Sequence, residues 1–177
     1  SKCEKIEGYL GSQYKCIASK GHIRELKGIK SIKVKENYEP VFSISPSKSS
    51  HVEWMKNVIK QFPKTNIILA ADDDREGEAI AWHICEVFAL PVEKTQRIVF
   101  HEITKPAIIK AIGSPGLINM HLVKAQHARQ VLDILVGFKI SQLLWKYLYN
   151  DKENGLSAGR CQTPALRLVY DNEIEKK

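Results

Sequence analysis

The stretch NIILAADDDREGEAIAWH, residues 66–83, puts Asp72, Asp73, Asp74 and Glu76 directly behind an apolar run. Carboxylates this close repel one another, so something must compensate. The start of a helix offsets less than about 1 kcal/mol. A hard divalent cation offsets far more. In an extended segment alternate side chains share a side, which would set Asp72 and Asp74 together and turn Asp73 away. Mg²⁺ takes one or two carboxylates, keeps several of its waters and shares phosphate oxygens. The spacing Asp-x-Asp-x-Glu therefore points to Asp72, Asp74 and Glu76 as a Mg²⁺ site that meets a phosphate. The competing account is a solvated, Asp-rich helix start, because short motifs match often by chance.

The elements around the motif decide between these accounts. Residues 66–71 read as a strand covered on both faces of a parallel sheet, and functional groups gather beyond the carboxyl ends of such strands. Residues 76–90 read as an amphipathic helix with Ile80, Ile84, Val87 and Phe88 as its apolar stripe. That flanking pattern favours a site. A phosphatase of the haloacid dehalogenase type also carries Asp-x-Asp behind a strand, but Glu76 and the helix pattern suit it poorly. Elsewhere, Val52, Met55, Ile59 and Phe62 predict a helix over 49–62, ended by Pro63. Residues 97–100 (RIVF) predict a strand, and 14–18 (YKCIA) and 41–44 (VFSI) are β-rich. Between these two lies a lysine-rich loop over 27–35. Alternating helices and strands make residues 1–103 an α/β domain around a mostly parallel sheet. From Thr104 onward the pattern is helical. Asn119 is placed to cap a helix running to about Val136, with Ala128, Val131, Leu132 and Leu135 on its apolar face and Gln126, Arg129, Gln130 and Asp133 opposite. A polar break over 150–155 precedes a last helix from about Gly159.

The chain has 177 residues, a formal net charge of +7 and 44% hydrophobic residues, which excludes wholesale disorder. The charge is uneven. Residues 61–96 carry net −4, between stretches 1–36 and 97–150 of +5 each. A cation site inside an anion-binding protein would be distributed in this way. No apolar run reaches the roughly 18 residues of a membrane span, and the first residues lack the apolar core of a signal peptide. Cys3, Cys16, Cys85 and Cys161 form no CxxC pair, so buried free thiols in a reducing, intracellular compartment are expected rather than zinc or disulfides.

Read together, the motifs resemble the type IA DNA topoisomerases. ADDDREGEAIAWH is similar to that family's TOPRIM motif, KIEGYLG to its first helix and ASKGHIREL to its Ser-x-Gly-His segment. YEPVF and RIVFHEIT resemble its strand segments. AQHARQVLDILVGFKISQLLWKYL and GLSAGRCQTPALRLV resemble the helical domain that follows. The resemblance spans nearly the whole chain, in the family's order. It implies a TOPRIM domain over 1–103 lacking its first strand, and over 104–177 the incomplete start of a helical domain that binds single-stranded DNA. The family relaxes negatively supercoiled DNA without ATP, using Mg²⁺ and a transient 5′-phosphotyrosine link that splits one hard displacement into two reversible ones.

The resemblance also implies roles for particular residues. Asp72, Asp74 and Glu76 bind Mg²⁺ and place the scissile phosphate, and Lys2 stabilises phosphate charge. Arg129, Gln130 and Asp133 face the single strand. Phe138 and Trp145 lie near it as stacking or packing aromatics. Ser157, Ala158, Gly159, Arg160, Cys161 and Gln162 meet a phosphate at a helix N-terminus, and His22 contacts DNA. Taken residue by residue, each has a simpler account: a surface i,i+4 pair for Arg129 and Asp133, core packing for Trp145, a small-residue cap at Ser157, an idle loop histidine at His22.

The pattern departs from the family in three ways. The first catalytic Glu, the nucleophilic Tyr in a Tyr-x-Arg-Thr setting and the zinc modules are absent from these residues. The chain is therefore expected to be an N-terminal fragment, a monomer, inactive alone and partnered by the rest of the same protein, by single-stranded DNA and by supercoiled duplex. A silent DNA-binding protein, or another TOPRIM enzyme such as a primase or nuclease, is the alternative.

Overall fold

The computed structural model describes residues 2–148 and 155–176. Most of the expected polar break over 150–155 lies outside the described residues. The elements in chain order are α1 (Lys2–Leu10), β1 (Arg24–Glu25), β2 (Ile32–Lys33), β3 (Glu39–Pro40), β4 (Ser43–Ile44), α2 (Ser49–Ile59), β5 (Ile68–Ala70), α3 (Arg75–Phe88), β6 (Gln96–Ile98), α4 (Lys105–Gly113), α5 (Met120–Tyr147) and α6 (Gln162–Glu175). The chain divides into two compact units, Ser1–Glu25 with Phe42–His127, and Leu26–Val41 with Ala128–Lys177. The division falls within α5.

In the first unit, β5 and β6 pair in parallel, with Ile68, Leu69 and Ala70 opposite Gln96, Arg97 and Ile98. A parallel pair needs a crossover, and α3 supplies it. Arg97 and Gly116 exchange backbone hydrogen bonds of 2.9 and 2.8 Å, which extends the ladder beyond β6. β1 pairs antiparallel with β4, Arg24 opposite Ile44. The core gathers Ile23, Val52, Met55, Leu69, Cys85 and Val123. In the second unit β2 pairs antiparallel with β3.

The α/β class is observed, but the expected mostly parallel sheet is not. Of the strand pairings among described residues one is parallel and two are antiparallel, and the Arg97–Gly116 bridge is antiparallel as well. The reason is local. β1–β4 and β2–β3 join segments close in sequence, which pair antiparallel without a crossover. The β-rich run at 14–18 is not a strand. The Cys16 N–H donates to Glu7 Oε1 at 2.7 Å and so joins no ladder. The helix expected over 49–62 ends at Ile59, and turn bonds from Gln61 and Phe62 finish it before Pro63.

The stripe expected on α3 is only half-buried at Ile80, Ile84 and Val87. Ala79, Ala81, His83 and Cys85 are buried instead, along with Glu78. A helix crossing over a short sheet is covered on more than one side, so its periodicity did not mark its innermost face. Asn119 does cap α5: its Oδ1 accepts from the N–H groups of His121 and Leu122 at 3.0 and 3.4 Å. The helix then runs on to Tyr147, beyond the expected end at Val136. On its expected apolar face Val131 is buried, whereas Ala128 and Leu132 are exposed. Gln126, expected outside, is buried. Cys85 is buried, Cys3 and Cys16 are half-buried, and Cys161 is exposed rather than buried as expected.

Candidate acidic site and nucleic-acid interface

The acidic motif occupies the loop between β5 and α3. Asp72, Asp73, Asp74 and Glu76 are all exposed. The chain bends at Asp73 and Asp74, while the Asp74 backbone itself is extended as it enters the helix. Asp74 is the N-cap of α3, and its Oδ1 accepts from the Gly77 N–H at 2.7 Å. Gly77 has to be glycine: a Cβ there would lie 2.1 Å from the Asp72 carbonyl oxygen. The loop is therefore folded tightly onto the first turn of the helix. Glu76 accepts a long bond of 3.5 Å from Gln126 Nε2.

A cleft of about 310 Å³ opens at the carboxyl ends of β5 and β6. Lys2 and Ile6 of α1 line it, with Asp72, Phe100, His101 and Glu102. The structure thus puts Lys2 and Asp72 on one cleft, although they are far apart in sequence. His101 and Glu102 were not singled out from the sequence. Their signal was present in RIVFHEIT, where two polar residues follow a strand directly.

Among the described residues, no group of three or more His, Cys, Asp or Glu side chains is arranged to hold a metal ion. The donor chemistry nevertheless fits Mg²⁺. The loop offers exposed carboxylate oxygens only, Mg²⁺ uses one or two of these, and water or phosphate completes the shell. One oxygen of Asp74 is committed to its cap. The set would suit a closed structural metal site poorly.

Beneath the loop lies a buried ion pair. Arg97 Nε sits 3.1 Å from Glu78 Oε2, with side chains only 2% and 7% exposed. The Nε–H is not aligned as a hydrogen bond. Arg97 Nη2 donates instead to the Asp72 carbonyl at 2.7 Å, and the Asn119 N–H donates to Glu78 Oε2 at 3.1 Å. Sequence reasoning missed both residues. The signal was a charge inside the otherwise apolar run RIVF.

A second buried polar group surrounds His83. Phe42 stacks edge-on to its ring at 4.5 Å and Trp82 at 4.9 Å, while the His127 and His22 rings lie 5.7 and 6.4 Å away. Arg24 lies over the Phe42 and Trp82 rings at 5.7 and 5.6 Å. Both ring nitrogens of His83 lack a hydrogen-bond partner, as do His22 Nδ1 and His127 Nε2. Burial, reinforced by Arg24 and the other histidines, pushes His83 down to about 3. Burial and Arg24 push His127 down to about 4. His22 is therefore part of a half-buried aromatic cluster, not an idle surface group.

In the second unit the expected DNA-facing positions converge on Asp133. Its Oδ1 accepts from Arg160 Nε at 2.7 Å, and Arg129 Nε lies 3.8 Å from Oδ2. The Asp133 hydrogen bond raises the Arg160 guanidinium above its ordinary value. The arrangement exceeds the simple i,i+4 pair that spacing alone suggests. Phe138 and Trp145 are both exposed at 44%, so core packing does not describe Trp145. Its Nε1 donates to the Leu156 carbonyl. Helix α6 begins at Gln162 with Cys161 as N-cap, not at Gly159, and no side chain caps it. Ser157 accepts from Gln162 Nε2 instead of capping. The Ala158 N–H donates to Ser141 Oγ at 3.1 Å and the Gly159 N–H to Thr163 Oγ1 at 3.2 Å. Those two donors are thus engaged within the protein, which leaves Arg160 as the charged group of the segment. Gln130 is half-buried on α5.

A parallel βαβ unit with an acidic loop at its carboxyl end, followed by long helices, defines an α/β acidic-loop domain joined to a helical segment. The comparisons agree on both parts. The Toprim domain model matches residues 1–103 and the DNA topoisomerase model residues 117–177. The chain belongs to the Toprim family. It is similar to the structure of full-length topoisomerase I from Thermotoga maritima, with 40% identity and a TM-score of 0.84. The match covers 98% of this chain and 29% of that one.

Proposed function

We propose that this chain supplies the metal and phosphate site, and part of the single-strand groove, of an enzyme that relaxes negatively supercoiled DNA. The reaction would be ATP-independent and Mg²⁺-dependent, passing through transient cleavage of one strand and a 5′-phosphotyrosine link. The observation that carries this reading is the single cleft shared by Lys2 and Asp72 at the carboxyl ends of β5 and β6. A cation and a carboxylate facing one small cleft suit a phosphate held against a metal.

Asp72, Asp74 and Glu76 would hold Mg²⁺, which when bound offsets phosphate charge and orients the scissile group. Lys2 contributes a point charge to the same phosphate. Asp74 keeps its capping bond while offering its other oxygen. Gly77 lets the loop close without a side chain in the way. In the second unit Arg129 and Arg160, held together by Asp133, present guanidinium groups to the DNA backbone. Phe138 and Trp145 offer exposed ring faces to unpaired bases. The attacking tyrosine is not among these residues in its Tyr-x-Arg-Thr setting, so the 177-residue chain alone is expected to bind single strands weakly without cutting them.

The test is the double change Asp72→Ala with Asp74→Ala in the intact protein. Mg²⁺-dependent relaxation should vanish while single-strand binding persists. Unchanged relaxation would remove the metal assignment.

A further inference from the structure

The second glutamate of the motif, Glu78, has no part in the proposed metal site. Its exposure is 5%, and a buried carboxylate needs compensation. It obtains that from Arg97 at 3.1 Å and from the Asn119 N–H at 3.1 Å. Arg97 in turn has its backbone fixed on both sides, by the β5 pairing at Leu69 and by the bridge to Gly116. Its free arm, Nη2, reaches the Asp72 carbonyl at 2.7 Å. The acidic loop is thus clamped from below at Asp72. It is clamped from the helix side at Gly77, where no Cβ fits beside the same carbonyl. Glu78 also holds the backbone just ahead of α5, the helix whose Gln126 reaches Glu76 at 3.5 Å.

We propose that Glu78 and Arg97 form a positioning pair that fixes the backbone of Asp72 and so sets how tightly the acidic loop takes Mg²⁺. Neither residue touches the metal. The pair's charges cancel inside the protein, and its fixed output is the orientation of one carbonyl. An apolar pair could fill the same space, but it could not hold that oxygen. The proposal rests on the functional reading above, in which the loop is the Mg²⁺ site.

The experiment uses the intact protein with Glu78→Ala, Glu78→Gln and Arg97→Lys. Two quantities are read: the Mg²⁺ concentration giving half-maximal relaxation, and amide hydrogen exchange at Gly77 in metal-free protein. Glu78→Ala should raise the Mg²⁺ midpoint about tenfold and speed Gly77 exchange, while the maximal rate at saturating Mg²⁺ changes less. Glu78→Gln, which keeps an acceptor for Asn119, should fall between Glu78→Ala and the parent. Arg97→Lys should also raise the midpoint, because a lysine cannot serve Glu78 and the Asp72 carbonyl in the same fork. If thermal stability drops but the Mg²⁺ midpoint and Gly77 exchange stay within twofold, the pair is structural only and the proposal is overturned. If Glu78→Ala does not fold, Glu78→Gln and Arg97→Lys give the same reading. If the parent protein shows no Mg²⁺-dependent relaxation, the functional reading fails instead, and Gly77 exchange still reports on the clamp.

Discussion

The first unit buries two polar clusters and treats them in opposite ways. Around Arg97, opposite charges meet: Glu78 is paired, the Asp72 carbonyl is held, and the Asn119 N–H is used. Around His83 lie Arg24, His22 and His127, and several nitrogens are without partners, while the carboxylate that acts on this cluster, Glu86, does so through Arg24. The first cluster can stay charged because its charges cancel. In the second, burial and Arg24 disfavour the charged forms of His83 and His127, and both are pushed far down. The compensated cluster lies under the acidic loop, where fixed geometry matters. The second should make the fold sensitive to acid.

The comparison can be broken most forcefully at Glu78. Glu78→Ala leaves the Arg97 charge buried without its partner and should lower stability by about 3–5 kcal/mol, read from urea unfolding at pH 7. Joint replacement of Glu78 and Arg97 by apolar residues of similar volume should recover most of that loss.

Acid should act on the second cluster. The folded-state values of His83 and His127, about 3 and about 4, lie below the ordinary histidine value near 6.5. Their stabilisation is therefore complete above about pH 6.5 and is lost as pH falls below it, because the unfolded state binds protons first. For fully buried His83 the loss should be on the order of 2 kcal/mol by pH 5, visible as a falling urea midpoint. A midpoint that is flat from pH 7 to 5 would show that the cluster has a hidden counter-charge.

The change His83→Phe sharpens the same point. It removes the orphaned nitrogens at similar volume, so stability at pH 7 should move by less than about 1.5 kcal/mol. The acid slope should flatten.

The half-buried arrangement around Asp133 serves as a control in the second unit. Arg160→Ala should leave unfolding nearly unchanged and reduce the salt slope of single-strand binding by about one. An unaltered slope would place Arg160 away from the DNA backbone.

The sequence showed the βαβ unit clearly, because NIILAA and RIVF are apolar runs separated by a strongly periodic helix. It also showed the cap at Asn119 and the acidic loop. It did not show which side of α3 is innermost. Ile80 and Ile84 are more apolar than Ala81 and His83, yet the close approach of neighbouring chain favours small side chains and shuts in a histidine. Nor did it show that α6 starts at Gln162, since the Ala158 donor is taken by Ser141, far back on α5, and the Gly159 donor by Thr163 in the first turn of α6 itself.

What the sequence determined by itself is the inventory at the end of β5: carboxylates that repel, and a helix that starts directly behind them. Those follow from residue types a few positions apart. What only the tertiary structure decided is who faces whom across long separations: Lys2 on the cleft of Asp72, Arg97 under the acidic loop with Glu78, and His22, His83 and His127 around Phe42. Local spacing carries no information on such meetings. They are settled by which apolar surfaces must be buried together, and the polar groups carried along then find partners or go without.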